Sequence, residues 1–363
     1  MAAFVQGVRL VILGVGVWAI VGTTLSIWNP DSRSGQASQA ADETSNTVQA
    51  QQLLSPGSAN SFATLLEPRQ EISELATRIT PVTQEFADLI PGVFVMDLDS
   101  GDYYSLNGDA GFSAASMIKV PVLVAFFQDV DAGKIRLDEM LTLQQEDLAG
   151  ESGEMQFDGV GTQYTALETA IAMIAISDNT ATNILIRRLG GMQALNQRFQ
   201  EWGLQQTVLH NLLPDIEGTN MTSPRELSML IARVGEGELV SMKSRDRLLD
   251  IMQTTVTNSM LPASLSPGAT ISHKTGDIGS VTGDSGLVDL PSGKRYAITV
   301  MVKRPHSDAR GYELVFRIGE VINRYFGERS STSTASTSPP TPGTPLPADA
   351  GNPSPATAQP AAQ

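Results

Sequence analysis

Only one of the six lysines, Lys119, has a serine three positions before it, in Ser116-Met117-Ile118-Lys119. Residues three apart on a helix share a face. A serine hydroxyl is a weak nucleophile until a neighbouring base takes its proton. A lysine desolvated among apolar neighbours has a lowered pKa and can act as that base. Here the neighbours are Phe112, Met117, Ile118, Val120 and Val122. The competing reading is a helix start capped by Ser116, with Lys119 in solvent. Further along, Ser177-Asp178-Asn179 closes the apolar run Ala170 to Ile176. It reads either as a hydroxyl and an amide reaching across a cleft or as an ordinary cap or turn. Lys274-Thr275-Gly276 lies just before the C-terminal strands. On an edge strand it offers a cation, a hydroxyl and a glycine that lets a ligand approach the backbone. Alone it also reads as a polar strand end.

Taken together and in this order, SxxK, SDN and KTG resemble the signature set of the serine penicillin-recognising enzymes. The likeness continues between the motifs. Phe112 to Val120 resembles the nucleophile segment of class A β-lactamases, and Ser177 to Gly191 resembles their central helix and the turn after it. Thr222-Ser223-Pro224 resembles the start of a later helix. The resemblance covers about residues 67–327. It implies an α+β, β-lactamase/transpeptidase-like fold, with an antiparallel sheet flanked by helices plus an all-helical lobe. It implies that Ser116 is acylated by an amide carbonyl and that Lys119 helps deprotonate it. Ser177 would pass a proton to the leaving nitrogen, and Asn179 would orient Lys119 and bind a substrate amide. Lys274 and Thr275 would bind the substrate carboxylate beside Gly276 and Asp277. The backbone N–H groups of Ser116 and Asp277 would form the oxyanion hole. No metal or organic cofactor is expected.

Two departures bear on the substrate. Class A enzymes deacylate with a glutamate on a loop before the Thr-Ser-Pro-like segment, usually in the pattern Glu-x-x-Leu-Asn. Here the segment Leu209 to Asn220 places Glu217 and Asn220 three apart rather than four, with no leucine before the asparagine. Leu212 or Leu213 falls at the expected position of the base, and a leucine cannot activate water. Glu217, Asp215 and Glu154 remain as substitutes. Secondly, Asp277 stands where the family usually carries a small residue, and no arginine follows closely. Both departures resemble the cyanobacterial penicillin-binding proteins of the A type, which act as D,D-peptidases. The expected activity is a serine D,D-peptidase on the D-Ala-D-Ala stem peptides of peptidoglycan, acylated by β-lactams. The alternative is a class A β-lactamase, and a non-catalytic wall-binding domain is a third reading.

These residues need elements to hold them. Periodicity predicts a helix over 71–89, broken at Pro81, and a hairpin over 92–106. Helices are predicted over 116–131, 167–188, 192–202, 224–233 and 245–254. Strands follow over 286–290 and 296–302, then a helix over 312–325. Strands at both ends and helices between predict one shared antiparallel sheet and a helical lobe, with a ligand cleft between them. His273 reads as a packed strand histidine, and Met229, Met242, Met252 and Met260 as core filling.

Composition sets the remaining bounds. Thirty-nine acids against 24 bases give a formal charge of −15, which argues against nucleic acid as a partner. There is no cysteine, so no disulfide, thiolate nucleophile or Cys-ligated zinc. The three histidines show no metal-ligand spacing. Residues 1–30 contain an uncharged apolar run, Leu10 to Ile27, that reads as a membrane anchor or a signal segment. Residues 31–66 read as a flexible spacer, and 328–363 as a disordered Ser/Thr/Pro-rich tail. The expected placement is a catalytic domain tethered outside the cytoplasmic membrane, or secreted if the leading segment is cleaved.

Overall fold

The computed structural model describes residues 66–335, with side chains to Arg329. Both ends of this segment contribute to one five-stranded antiparallel sheet. β1 (Ile90–Asp97) and β2 (Tyr103–Leu106) form the predicted hairpin. β7 (Thr270–Ile278), β8 (Val281–Asp289) and β9 (Arg295–Lys303) complete the order β2-β1-β9-β8-β7. β1 therefore pairs with β9, Val95 facing Ile298 across a sequence gap that encloses the helical lobe.

The alternation of side chains along these strands divides the interior in two. From β1, Phe94 and Met96 enter the core shared with the helices of the middle segment. Val93 and Val95 enter a second core on the opposite face. That face is covered by α1 (Ser73–Glu85) and by the closing helix α8 (Arg310–Ala335). α1 is not broken at Pro81; Leu75, Ile79 and Val82 are buried along it, and packing carries the helix past the missing N–H donor. α8 begins two residues earlier than expected and runs to Ala335, beyond the anticipated domain edge at 327. The proposed anchor and nearly all of the spacer, and the tail beyond Ala335, lie outside the described residues. Among the described residues, no helix is long and apolar enough to cross a membrane.

The middle segment supplies α2 (Lys119–Asp131), α3 (Ala166–Ala175), α4 (Asn179–Arg188), α5 (Gly191–Glu201), α6 (Pro224–Gly235) and α7 (Met242–Gln253). Two-stranded pairs link β3 (Phe112–Ser113) with β6 (Met221–Thr222), and β4 (Met140–Thr142) with β5 (Gln163–Thr165). α2 is buried along almost its whole length, which explains its run of apolar residues without a strong polar face. The region 167–188 is two helices, not one. The break is chemical: Asp178 caps α4, its carboxylate accepting from Ala181 N at 2.8 Å. Met252 and Met260 are buried as expected, but Met242 opens α7 largely in solvent.

Candidate active site

The three motifs meet in one cavity of about 500 Å³, whose lining includes Ser116, Ser177, Asn179, Thr275 and Asp277. Each arrives from a different element. Ser116 lies on a single 3-10 turn, Ala115–Ile118, not on the α-helix that follows it. Ser177 occupies the break between α3 and α4, and Asn179 is the first residue of α4. Lys274 to Asp277 lie on β7, the edge strand of the sheet.

Two backbone strains accompany this placement. Ala115, immediately before the nucleophile, has φ +46°, and Ser177 has φ +57°. Left-handed conformations at non-glycine residues cost roughly 1–3 kcal/mol each and persist where surrounding structure fixes them. At Ser177 the fixing groups are visible. Asp178 is fully buried, and its second carboxylate oxygen accepts from Glu154 N at 2.8 Å and Met155 N at 2.9 Å. The loop before α3 is thereby tied to the head of α4. Gly153, at φ +97°, allows this contact, because a Cβ there would meet the Asp178 carboxyl at 2.2 Å.

Lys119 is fully buried beneath the cavity. Its Nζ donates to Ser177 O at 2.6 Å and to Asn179 Oδ1 at 2.8 Å. It also lies 3.2 Å from Ser116 Oγ and 3.0 Å from Ser177 Oγ. The two carbonyl oxygens can only accept, so they claim two N–H groups. A neutral amine then keeps one lone pair for a hydroxyl proton. Burial holds Lys119 well below the ordinary lysine range, the Lys274 ammonium adds to the fall, and Asp178 opposes it. The solvated, helix-capping reading of this motif is thus overturned: Ser116 makes no cap and Lys119 is in no contact with water.

Asn179 divides its amide. The oxygen accepts from Lys119, and Nδ2 donates to Gly150 O at 2.9 Å, leaving its second proton for a ligand. Lys274 is also buried, its Nζ donating to Thr275 O at 2.9 Å. Burial brings it down to about 8, with the Asp284 carboxylate opposing. His273 is packed as expected; its Nδ1 lies 2.9 Å from Asp284 Oδ1 beneath the sheet.

Gly276 has a packing reason to be glycine besides the ligand approach expected from the sequence. A Cβ there would meet Ala115 Cβ and Met117 Cγ and Cε, each at 3.1 Å. The glycine lets the edge strand press against the turn that carries the nucleophile. On the loop before β6 the two leucines part. Leu213 lines the cavity and is buried, whereas Leu212 faces a separate apolar groove with Ile186 and Met192. Glu217 and Glu154 are exposed and outside the cavity. Asp215 lines it, but one oxygen accepts from Thr219 Oγ1 at 2.8 Å and the other from Asn220 N at 2.6 Å. It is committed to holding the loop.

Several lining residues were not anticipated, among them Glu151, Ile216, Met260 and Tyr312. Behind them stands Arg304, at the end of β9, bonded to Asp277. Arg304 lies 27 residues beyond Asp277, and only the folded sheet brings it alongside.

A buried lysine between two serines, an asparagine beside it and a Lys-Thr pair on an edge strand form a serine acyl-transfer centre. Residues 74–326 match the model of the beta-lactamase enzyme family. The chain belongs to that family. It is an enzyme of the serine β-lactamase and penicillin-binding protein superfamily, with the β-lactamase/transpeptidase-like fold. It is 30% identical over 248 residues to a β-lactamase of Rhodobacter capsulatus, covering 66% of this chain and 83% of that one. Among solved structures it is similar to PBP-A, at 50% identity and TM-score 0.71, over 72% of this chain and 99% of the other. A leucine-to-glutamate variant of PBP-A, held as an acyl-enzyme with penicillin G, matches equally well, at 50% identity and TM-score 0.71 over 72% of this chain and 100% of that one. A β-lactamase from Sphaerobacter thermophilus matches at 26% identity and TM-score 0.63, over 70% of this chain and 97% of that one. Among the described residues, no group of His, Cys, Asp or Glu is placed to hold a metal ion.

Proposed function

We propose that this family member is a D,D-peptidase that cleaves or exchanges the terminal D-alanine of peptidoglycan stem peptides and is trapped by β-lactams. The observation that carries the reading is Leu213, an apolar side chain lining the cavity on the loop that would supply a deacylating base.

Acylation follows from the groups present. Ser116 Oγ attacks the amide carbonyl as its proton passes to neutral Lys119, 3.2 Å away. The backbone N–H groups of Ser116 and Asp277 would receive the developing oxyanion. Lys119 returns the proton through Ser177 to the leaving nitrogen, Ser177 Oγ being 3.0 Å from Nζ. Lys274 and Thr275 would hold the substrate carboxylate. With a peptide, the leaving D-alanine departs and vacates its side of the site. Water or an acceptor amine then enters there and is deprotonated by the same Ser177 and Lys119 route, run in reverse. In a penicilloyl ester the expelled nitrogen stays tethered in the drug and covers that approach. Hydrolysis would need a base on the opposite side, where Leu213 stands.

Intact mass spectrometry of the protein with benzylpenicillin tests this, followed by assay on a D-Ala-D-Ala peptide. A lasting adduct on Ser116, its absence in Ser116→Ala, and release of D-alanine are the expected results. Rapid return of free enzyme with hydrolysed drug would make the chain a β-lactamase. Residues 1–30 are proposed to tether the domain to the membrane that peptidoglycan surrounds.

A further inference from the structure

Asp277 follows Thr275 by two residues on β7, so both side chains leave the same face of the strand, about 7 Å apart along it. Both line the cavity. The Asp277 side chain is 46% exposed, and that of Arg304 behind it only 1%. Arg304 Nη2 donates to Asp277 Oδ1 and, at 3.0 Å, to Ile278 O; Nη1 donates to Asp308 O at 3.1 Å. Its buried Nε has no hydrogen-bond partner. Tyr312 Oη donates to Asp277 Oδ2 at 2.8 Å, and its ring lies 4.9 Å from the guanidinium carbon. Arg304 therefore touches three cavity-lining residues, Asp277, Ile278 and Tyr312, while being screened from the cavity by them.

We propose that Asp277 is a specificity-determining residue: its carboxylate occupies Arg304 and Tyr312 as a built-in anion and keeps the guanidinium from pairing with the carboxylate of a bound substrate. The inference rests on the reading of this site as one that acylates on carboxylate-bearing amides. A substrate carboxylate at Thr275 then relies on Lys274 and Thr275 alone and faces the charge of Asp277. The site consequently discriminates weakly between a free carboxylate and a neutral group at that place. Shortening Asp277 to the small residue usual in the family exposes Arg304 to the ligand. A charge-assisted guanidinium–carboxylate pair is then gained, which corresponds to about tenfold or more in acylation efficiency.

The test compares acylation by benzylpenicillin and by its uncharged methyl ester. Rates are read by mass spectrometry in the unaltered protein, Asp277→Ser and the double variant Asp277→Ser/Arg304→Gln. The expected result is a carboxylate-to-ester ratio about tenfold higher in Asp277→Ser, restored toward the original by removal of Arg304. An unchanged ratio overturns the proposal. A gain that survives in the double variant also overturns it, because relief of repulsion by Asp277 then suffices. Asp277→Asn, which keeps the side-chain shape and an acceptor for Tyr312, covers the case in which the serine variant fails to fold. Its ratio should rise less but in the same direction, and no rise refutes the idea. Failure of the unaltered protein to react with either probe sinks the acyl-transfer reading itself, whereas reaction at an unchanged ratio sinks only the role of Asp277.

Discussion

If the site holds penicillin as a lasting adduct, as proposed above, replacing Leu213 by glutamate should make it turn the drug over. The backbone there is already held: Asn183 Nδ2 donates to Leu213 O at 2.7 Å, and Leu213 N donates to Asn183 Oδ1 at 3.0 Å. Both bonds use main-chain atoms, so the exchange leaves the residue anchored to α4. Leu213 is 6% exposed. Loss of its apolar burial costs about 2 kcal/mol. In a domain of this size that corresponds to a fall in Tm on the order of 5 °C. Against that loss, a positioned general base is worth about 10²–10⁴-fold in the step it serves. Burial raises the pKa of the new carboxyl, which moves it toward the neutral range useful to a base. Loss of the benzylpenicillin adduct, timed by intact mass, measures the effect directly. The adduct should clear at least about 100-fold faster in Leu213→Glu. Leu212→Glu, on the groove with Ile186 and Met192, should show no gain. A folded Leu213→Glu protein whose adduct persists, or an equal gain at Leu212, would refute the placement of the missing base.

Acylation should depend on pH as a bell, since Lys119 must be neutral and Lys274 charged. The alkaline limb should fall near pH 8, where Lys274 loses its proton, and stopped-flow acylation rates across pH 5–10 would locate it. Stability should move the other way: the folded value of Lys274 lies below that of the unfolded chain. Between about 8 and 10.5 the unfolded state binds more protons, and resistance to urea should therefore rise with pH. Gly276→Ala adds a Cβ that meets Ala115 and Met117 at 3.1 Å. It should cost about 1–3 kcal/mol in urea unfolding and slow acylation by displacing the nucleophile turn. Asp178→Ala deprives three backbone N–H groups of a buried acceptor. It should cost about 3 kcal/mol or more and abolish penicillin labelling while the far-UV spectrum remains folded.

The sequence carried the three motifs and the sheet made from both chain ends, because each rests on local chemistry or on simple alternation. Val93 and Val95 could be read as one strand face before any fold was known. A cap at Asp178 was one of the two readings open to Ser177-Asp178-Asn179; the strained backbone at Ser177 was not legible, because Asp178 also reaches Glu154 and Met155. The packing role of Gly276 was hidden for a similar reason. Its open face points at residues far away in sequence. Leu212 and Leu213 are chemically identical and adjacent, so only the fold could separate cavity from groove. Arg304 joins Asp277 across the sheet edge, a pairing set by strand order and not by spacing.

The two helices that cover the far face of the sheet also fix where the chain enters and leaves. Arg78, in the second turn of α1, pairs with Glu328 near the last described side chain of α8, Nη1 to Oε2 at 2.9 Å. The first helix and the end of the last are therefore neighbours in space. Leu66 packs in the core on the opposite face, so a linker from the end of α8 that passes round the sheet edge to residue 66 would close the domain into a ring. New ends opened at Gly133, where an added Cβ would meet nothing within 4 Å, would leave every motif on its own element. The order in which the motifs occur along the chain is thus separable from the site they build: a permuted protein beginning at Lys134 would meet SDN first, KTG second and the nucleophile last.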